Sequence, residues 1–231
     1  MAKNKIKALL IDIDDTITKL KSCLEAPDPD RGNLMRVLEK AGIELAGLAP
    51  SESAKRVAHV RDTLRWWVWE DFIEELGLNH ADFWEFAYNI ESKYLEAAGP
   101  EIKPALAALK DNGMALYITS NNPVSGIRHK LRLAGFNRDE IGDWFSALFG
   151  VSELEVMKWD APYWKKVISL SGFPKENLAT VGDSLHDDYE VPSSVGIGHA
   201  FIINRDGKPP GAMAANLTYV TSFDQIAAHL M

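Results

Sequence analysis

Six short apolar runs punctuate the chain, at 6–13 (IKALLIDI), 114–119 (MALYIT), 147–151 (ALFGV), 178–181 (LATV), 200–203 (AFII) and 217–220 (LTYV). The first is rich in β-branched residues and turns abruptly acidic at its end, too short for a core helix, so it predicts a buried strand; the other five predict the same. Between them lie segments with helical spacing. Residues 102–110 are closed by Asn112-Gly113, 123–134 by Gly135, and 161–171 by Gly172, since glycine commonly ends a helix. Strands alternating with helices imply parallel β-α-β units, hence an α/β fold with a doubly wound parallel sheet.

Residues 20–99 break this rhythm. They contain no convincing strand, and three helical patterns fit them: 33–41 closed by Gly42, 51–76 closed by Gly77, and 79–98 closed by Gly99. Val57, Val60, Leu64, Trp67 and Val68 form the stripe of an amphipathic helix. The simplest account is an all-helical insertion after the first strand, with Pro- and Gly-rich loops at 26–29 and 47–50. The expected organisation is a core from 1–19 and 100–231 and a helical domain from 20–99.

Composition narrows the partners. The chain has 231 residues, 46% hydrophobic and 25% charged, and a formal charge of −8. It lacks the basic footprint that bulk attraction to nucleic acid requires. The single cysteine, Cys23, allows no internal disulfide and fits a reducing compartment. The basic start, Met1 to Lys5, is followed by an apolar run interrupted by Lys7 and soon by Asp12, Asp14 and Asp15, unlike an export signal. No apolar stretch approaches the roughly 20 residues that span a bilayer. A cytoplasmic protein without membrane association is expected, as a monomer or homodimer. The sequon Asn216-Leu217-Thr218 is then a chance match.

The first strand ends in Asp12-Ile13-Asp14-Asp15-Thr16. Alternation along a strand points Asp12 and Asp14 the same way, and ligands of open α/β sheets collect at the carboxyl ends of strands. Two such carboxylates repel unless a cation or a shared proton intervenes; an exposed acidic turn is the plainer alternative. A second acidic cluster, Gly182-Asp183-Ser184-Leu185-His186-Asp187-Asp188, follows the run at 178–181. Oxygen ligands from two strand ends, without a histidine pair or thiolates, suit Mg²⁺. Thr119-Ser120-Asn121 places hydroxyls and backbone N–H groups just before a helix, where anions bind and where ordinary helix caps also occur. Lys158 precedes another helix, a position at which a lone lysine usually faces solvent. His186 reads as a surface residue.

In chain order these elements resemble the haloacid dehalogenase-like (HAD) superfamily. Its first motif, a hydrophobic strand and DxDxT, matches Leu9 to Thr16. Its second, a Thr or Ser ending a strand, matches Thr119, with Ser120 as the alternative register. The third, a Lys before a helix, matches Lys158, and the fourth, GDxxxxD, matches Gly182, Asp183 and Asp188. Asp15 stands where the family often has Gly, Trp159 where it often has Pro, and Asp187 where Asn is frequent. The resemblance implies a Rossmann-like core with a helical cap inserted between the first two motifs. It further implies a Mg²⁺-dependent phosphomonoester hydrolase acting on a small phosphorylated metabolite. Asp12 would be the nucleophile and Asp14 the acid/base. Thr119, Ser120, Asn121 and Lys158 would hold the phosphoryl group. Mg²⁺ would be held by Asp12, Asp14 (through its main-chain carbonyl) and Asp183, with Asp188 behind them. A phosphomutase or phosphonate hydrolase is the enzymatic alternative, and a non-catalytic binding module the other. Haloacid dehalogenases of the superfamily lack an acid/base two residues after the nucleophile, which Asp14 supplies here.

In the expected cap, Trp66, Trp67, Trp69, Phe72, Phe83, Trp84 and Phe86 read chiefly as core, with one or two able to stack on a substrate ring. Lys55, Arg56, Arg61 and Arg65 read as a solvated helix face that could also steer an anion.

Overall fold

The computed structural model describes residues 6–21, 34–63, 68–205 and 214–231. The basic N-terminus, Cys23, the 26–29 loop, Leu64, Arg65, Trp66 and Trp67 lie outside the described residues. In chain order the strands are β1 (Ala8–Ile11), β2 (Thr18–Leu20), β3 (Leu95–Ala97), β4 (Ala115–Thr119), β5 (Phe145–Phe149), β6 (Leu178–Gly182), β7 (His199–Ile203) and β8 (Leu217–Val220). The helices are α1 (Leu34–Glu44), α2 (Pro50–Thr63), α3 (Trp69–Glu75), α4 (His80–Tyr94), α5 (Ile102–Asp111), α6 (Val124–Leu133), α7 (Arg138–Trp144), α8 (Val151–Leu154), α9 (Ala161–Ser171), α10 (Val191–Ser194) and α11 (Phe223–Leu230). The chain forms two compact units, Met1–Lys19 with Ala97–Met231, and Leu20–Glu96. It passes from one to the other through β2 and β3, which pair as a two-stranded sheet.

The first unit is built on a six-stranded parallel sheet of order β5-β4-β1-β6-β7-β8. All four residues of β1 are fully buried, because helices cover both faces. Leu9 and Ile11 pack with Leu116, Ile118 and Val181 against α5, α6 and α11. Ala8 and Leu10 pack with Tyr117 and Leu178 against Tyr163, Trp164 and Val167 of α9. A strand sealed on both sides has no polar face, which accounts for the unbroken apolar runs.

Four helices of this unit, α7, α8, α10 and α11, lie outside the expected helical segments. Helix α7 is announced by a capping box, in which the Asn137 side chain accepts from the Glu140 N–H and Glu140 accepts in return from Asn137 N–H. The C-terminal α11 buries Phe223, Ile226, Ala227 and Leu230 at helical spacing. Strand β5 begins at Phe145, two residues before the expected run, where Phe145 pairs with Leu116.

The second unit has its own core, in which Leu38, Val57, Val60, Phe72, Ile73, Leu76 and Phe83 pack together. Trp69, Phe83 and Trp84 sit with ring centroids 5.1–5.6 Å apart, and Tyr88 stacks on Trp84. These aromatics therefore serve packing. Three expectations are corrected here. The pattern at 51–76 is not one helix: Val68 is extended and a separate helix, α3, opens at Trp69. The pattern at 79–98 ends at Tyr94, and 95–97 form a strand instead. Gly42 does not stop α1, which runs on to Glu44. A Cβ at Gly42 would lie 2.2 Å from Ser53 Oγ, so this glycine lets α1 and α2 approach closely, and Ser53 Oγ donates to Glu39 O at 2.7 Å. Among the described residues, no helix is long and apolar enough to cross a membrane.

Candidate active site

Strand β1 is flanked by β4 on one side and β6 on the other, so the chain reverses its winding direction there. Such a switch point opens a crevice at the carboxyl ends of the strands. A cavity of about 240 Å³ lies at that end, lined by residues that include Asp12, Asp14, Ser120, Lys158, Asp183 and Asp188.

Asp12 leaves β1 with its N–H still on Val181 O, at 2.8 Å. Its Oδ1 accepts from Lys158 Nζ at 2.5 Å. The same ammonium lies 2.6 Å from Asp188 Oδ1, and Lys158 is 2% exposed. Asp188 sits in a turn of π-helix, His186–Glu190, a distortion frequent at functional sites. Its Oδ2 accepts from Ser184 N–H at 3.1 Å, and its carbonyl accepts from Thr180 Oγ1. A Cβ at Gly182 would lie 2.0 Å from the Asp188 carboxylate; glycine at this motif position makes room for that group.

Asp14 faces other partners. Lys130 Nζ donates to its Oδ1 at 2.6 Å, and Asn122 Nδ2 to its Oδ2 at 2.5 Å. The next residue, Asp15, adopts φ +49°, which explains why glycine is common there and why Asp, which tolerates the left-handed region, stands in for it. Arg205 donates to the carbonyls of Asp15 and Thr16 and so holds the turn.

Of the two candidate hydroxyls, Ser120 lines the cavity and Thr119 does not. Thr119 is set apart from the cavity. As the last residue of β4 it shares a sheet face with Tyr117, and its Oγ1 is buried without a hydrogen-bond partner. Ser120, one residue beyond the strand, clears the sheet edge. Asn121 lines the cavity and its Oδ1 accepts from Lys158 N–H at 2.7 Å. Trp164 Nε1 donates to Lys158 O at 2.7 Å, so the Lys158 loop is held without the proline often found after this lysine. Tyr163 OH donates to Phe149 O at 2.8 Å and accepts from Ser120 N–H at 2.9 Å. His186 pairs with Glu190 at the surface.

The carboxylates of Asp12, Asp183 and Asp188 lie within 4.8 Å of one another. Burial pushes the Asp12 carboxyl up to about 7, against the pull of Lys158 and with help from Asp188 and Asp14. Asp183 is pushed up to about 6 by partial desolvation and by Asp12 and Asp15. Asp188 is raised mainly by burial. Burial would lower Lys158, but Asp12 and Asp188 outweigh it and keep the ammonium charged. For Asp14, partial desolvation opposes ionisation and Lys130 with Asn122 prevails, holding it below the usual carboxylate range. Crowded oxygen donors whose ionised form is disfavoured fit a hard divalent cation, which would relieve their repulsion. Asp188 belongs to this group alongside Asp12 and Asp183, whereas the Asp14 carboxylate is turned to Lys130 and Asn122.

Lys130, Asn122, Tyr163, Trp164 and Arg205 escape a motif-based reading. Lys130 alone left a signal: it sits three residues after Ile127 and next to Leu131, on the buried stripe of α6.

An acidic site at the switch point of a doubly wound parallel sheet defines a protein of the α/β class with ligand chemistry at its strand ends. The chain belongs to the haloacid dehalogenase-like hydrolases, whose family model matches residues 6–196. No curated protein sequence matches it. Among solved structures it is similar to a HAD phosphatase from Thermococcus onnurineus, at 23% identity and TM-score 0.65, over 97% of this chain and 98% of that one. A 2-haloacid dehalogenase from Pseudomonas syringae matches at 16% identity and TM-score 0.62 over the same shares. A predicted phosphoglycolate phosphatase from Haemophilus somnus matches at 17% and 0.58, again over 97% and 98%. At these identities the likeness shows the shared fold.

Proposed function

We propose that this hydrolase is a Mg²⁺-dependent phosphatase of a small phosphorylated metabolite. The observation that carries the reading is a second carboxylate, Asp14, lining the same cavity as Asp12. An alkoxide leaving group needs a proton, whereas a departing halide does not, so the pair suits a phosphomonoester better than a haloacid.

In this reading an Asp12 oxygen attacks phosphorus, the phosphorus–oxygen bond to the leaving group breaks, and Asp14 gives that oxygen its proton. Asp12 becomes an aspartyl-phosphate. Water then attacks the same phosphorus and yields its proton to Asp14, releasing inorganic phosphate and restoring the Asp12 carboxylate. Lys130 favours ionised Asp14 in the free protein; an arriving phosphoryl anion opposes this by like charge, raising the affinity of Asp14 for the proton it must donate. Lys158 and Ser120 would bind phosphoryl oxygens, and Trp164 and Asn121 orient the Lys158 loop. Mg²⁺, held by Asp12, Asp183, Asp188 and the Asp14 carbonyl, would neutralise charge on the transferring group. The helical unit would act as the cap that selects the substrate.

The test is hydrolysis of 4-nitrophenyl phosphate and a panel of metabolite phosphates. Expected are turnover lost in excess chelator and restored by Mg²⁺, and a Tm raised by Mg²⁺ through mass action. Undiminished hydrolysis in chelator would sink the metal assignment. Release of halide without release of phosphate would point to the dehalogenase branch instead.

A further inference from the structure

We propose that Lys130, with Asn122, is a positioning residue that fixes the orientation of the Asp14 carboxylate; this rests on the reading of Asp14 as the acid/base. Lys130 and Lys158 are the two lysines that are buried among the described residues. Lys158 is accounted for by the acidic cluster. Lys130 lies outside it, on α6, with its Nζ 2.6 Å from Asp14 Oδ1 and 3.0 Å from Asn122 Oδ1.

Burying an ammonium costs several kcal/mol before pairing, so an ion pair of this kind is a poor device for stability alone. Its asymmetry points to the cavity. The Lys130 side chain is 8% exposed and that of Asp14 49%, so the cation is enclosed behind a carboxylate that faces solvent. One oxygen is tied to Lys130 and the other to Asn122, whose Nδ2 also donates to Ser120 Oγ at 2.8 Å. Two anchors on opposite oxygens stop rotation of the carboxyl plane. Each oxygen keeps a second lone-pair site for the travelling proton. The same network ties Asp14 to Ser120, so acid/base and phosphate contact are held in one frame.

The test compares an alkyl phosphate, glycerol phosphate, with 4-nitrophenyl phosphate, whose leaving group needs little protonation. A misoriented acid costs about 100-fold. Lys130→Met should therefore lower kcat on glycerol phosphate about 100-fold and on 4-nitrophenyl phosphate less than about tenfold, with KM little changed. Lys130→Arg should recover part of the loss. In an Asp14→Asn background Lys130→Met should add almost nothing on glycerol phosphate, because the group it positions is gone. Equal losses on both substrates, or a full additional loss in the Asp14→Asn background, would overturn the proposal. Should Lys130→Met not fold, Asn122→Ala probes the other oxygen and must show the same substrate bias. A wild-type protein inert toward every phosphomonoester removes the phosphatase reading and this inference together; an active wild type with an unbiased Lys130→Met variant removes this inference alone.

Discussion

Asp12 and Asp14 are two residues apart, yet their surroundings push them in opposite directions. Asp12 is buried against Asp188 and rises to about 7, while Asp14 is lowered by Lys130 and Asn122. A cation beside Asp12 would favour its ionised, nucleophilic form, and a phosphoryl anion beside Asp14 would favour its protonated form. Asp12→Asn should abolish turnover while the far-ultraviolet circular dichroism stays native. Asp14→Asn should cost alkyl phosphates more than 4-nitrophenyl phosphate; equal costs in kcat/KM would refute the acid/base role. His129 offers a pH test away from the acidic cluster. Burial, with Arg132 and Lys130 nearby, lowers it to about 4 from 6.5. A histidine that binds its proton more weakly when folded contributes stability above the unfolded value, and that stability is lost as pH falls from about 6.5 toward 4. The slope is at most about 1.4 kcal/mol per pH unit. Urea unfolding should show a steeper decline over this range in the wild type than in His129→Gln; parallel curves would exclude the assignment.

Among the elements, glycines mark where two pieces of chain come together. At Gly42 the constraint is the α1–α2 contact, where a Cβ would lie 2.2 Å from Ser53 Oγ. Gly42→Ala gains helix propensity of nearly 1 kcal/mol, but overpacking of this kind costs about 1–3 kcal/mol. A lowered Tm is expected, and a raised one would mean that the helices separate easily. At Gly182 the neighbour is the Asp188 carboxylate, itself pinned by Lys158 and Ser184. Gly182→Ala should therefore displace a charged group of the cavity. If the cluster holds Mg²⁺ as proposed, its affinity, read by titration calorimetry, should fall at least tenfold, about 1.4 kcal/mol.

For the molecule as a whole, the division into two units with separate cores lets one change while the other keeps its packing. The carboxylates, Lys158 and Ser120 all belong to the first unit, and on the proposed reading every phosphomonoester would present the same oxygens to them. Lys158→Ala should therefore depress kcat/KM for all substrates by a common factor. If the helical unit is a cap, surface substitutions there should instead reorder the substrates. The charges on α2 are partly occupied already, with Arg56 on Glu52 and Arg61 on Asp62, so Lys55 is the better first target. Cap variants that scale all substrates alike would make the unit a packing or assembly element.

Much of this protein was legible in one dimension because its signals are local. A strand buried on both faces must be apolar throughout, so the six sheet strands, helices α5, α6 and α9 and the mainly helical character of the second unit's described residues followed from the hydrophobic pattern. The acidic motifs were legible because each directly follows an apolar run, a signal that depends only on near neighbours; alternation did not carry it, since β1 ends at Ile11. Tertiary structure decided what depends on distant partners. It separated Thr119 from Ser120, since a one-residue step past the sheet edge turns a buried hydroxyl into a cavity-lining one. It made Gly42 a contact where a helix stop was expected, since the cause, Ser53, lies in the next helix. It joined Lys130 to Asp14 across 116 residues of chain, a pairing that no local pattern encodes because an ion pair is set by distance in space.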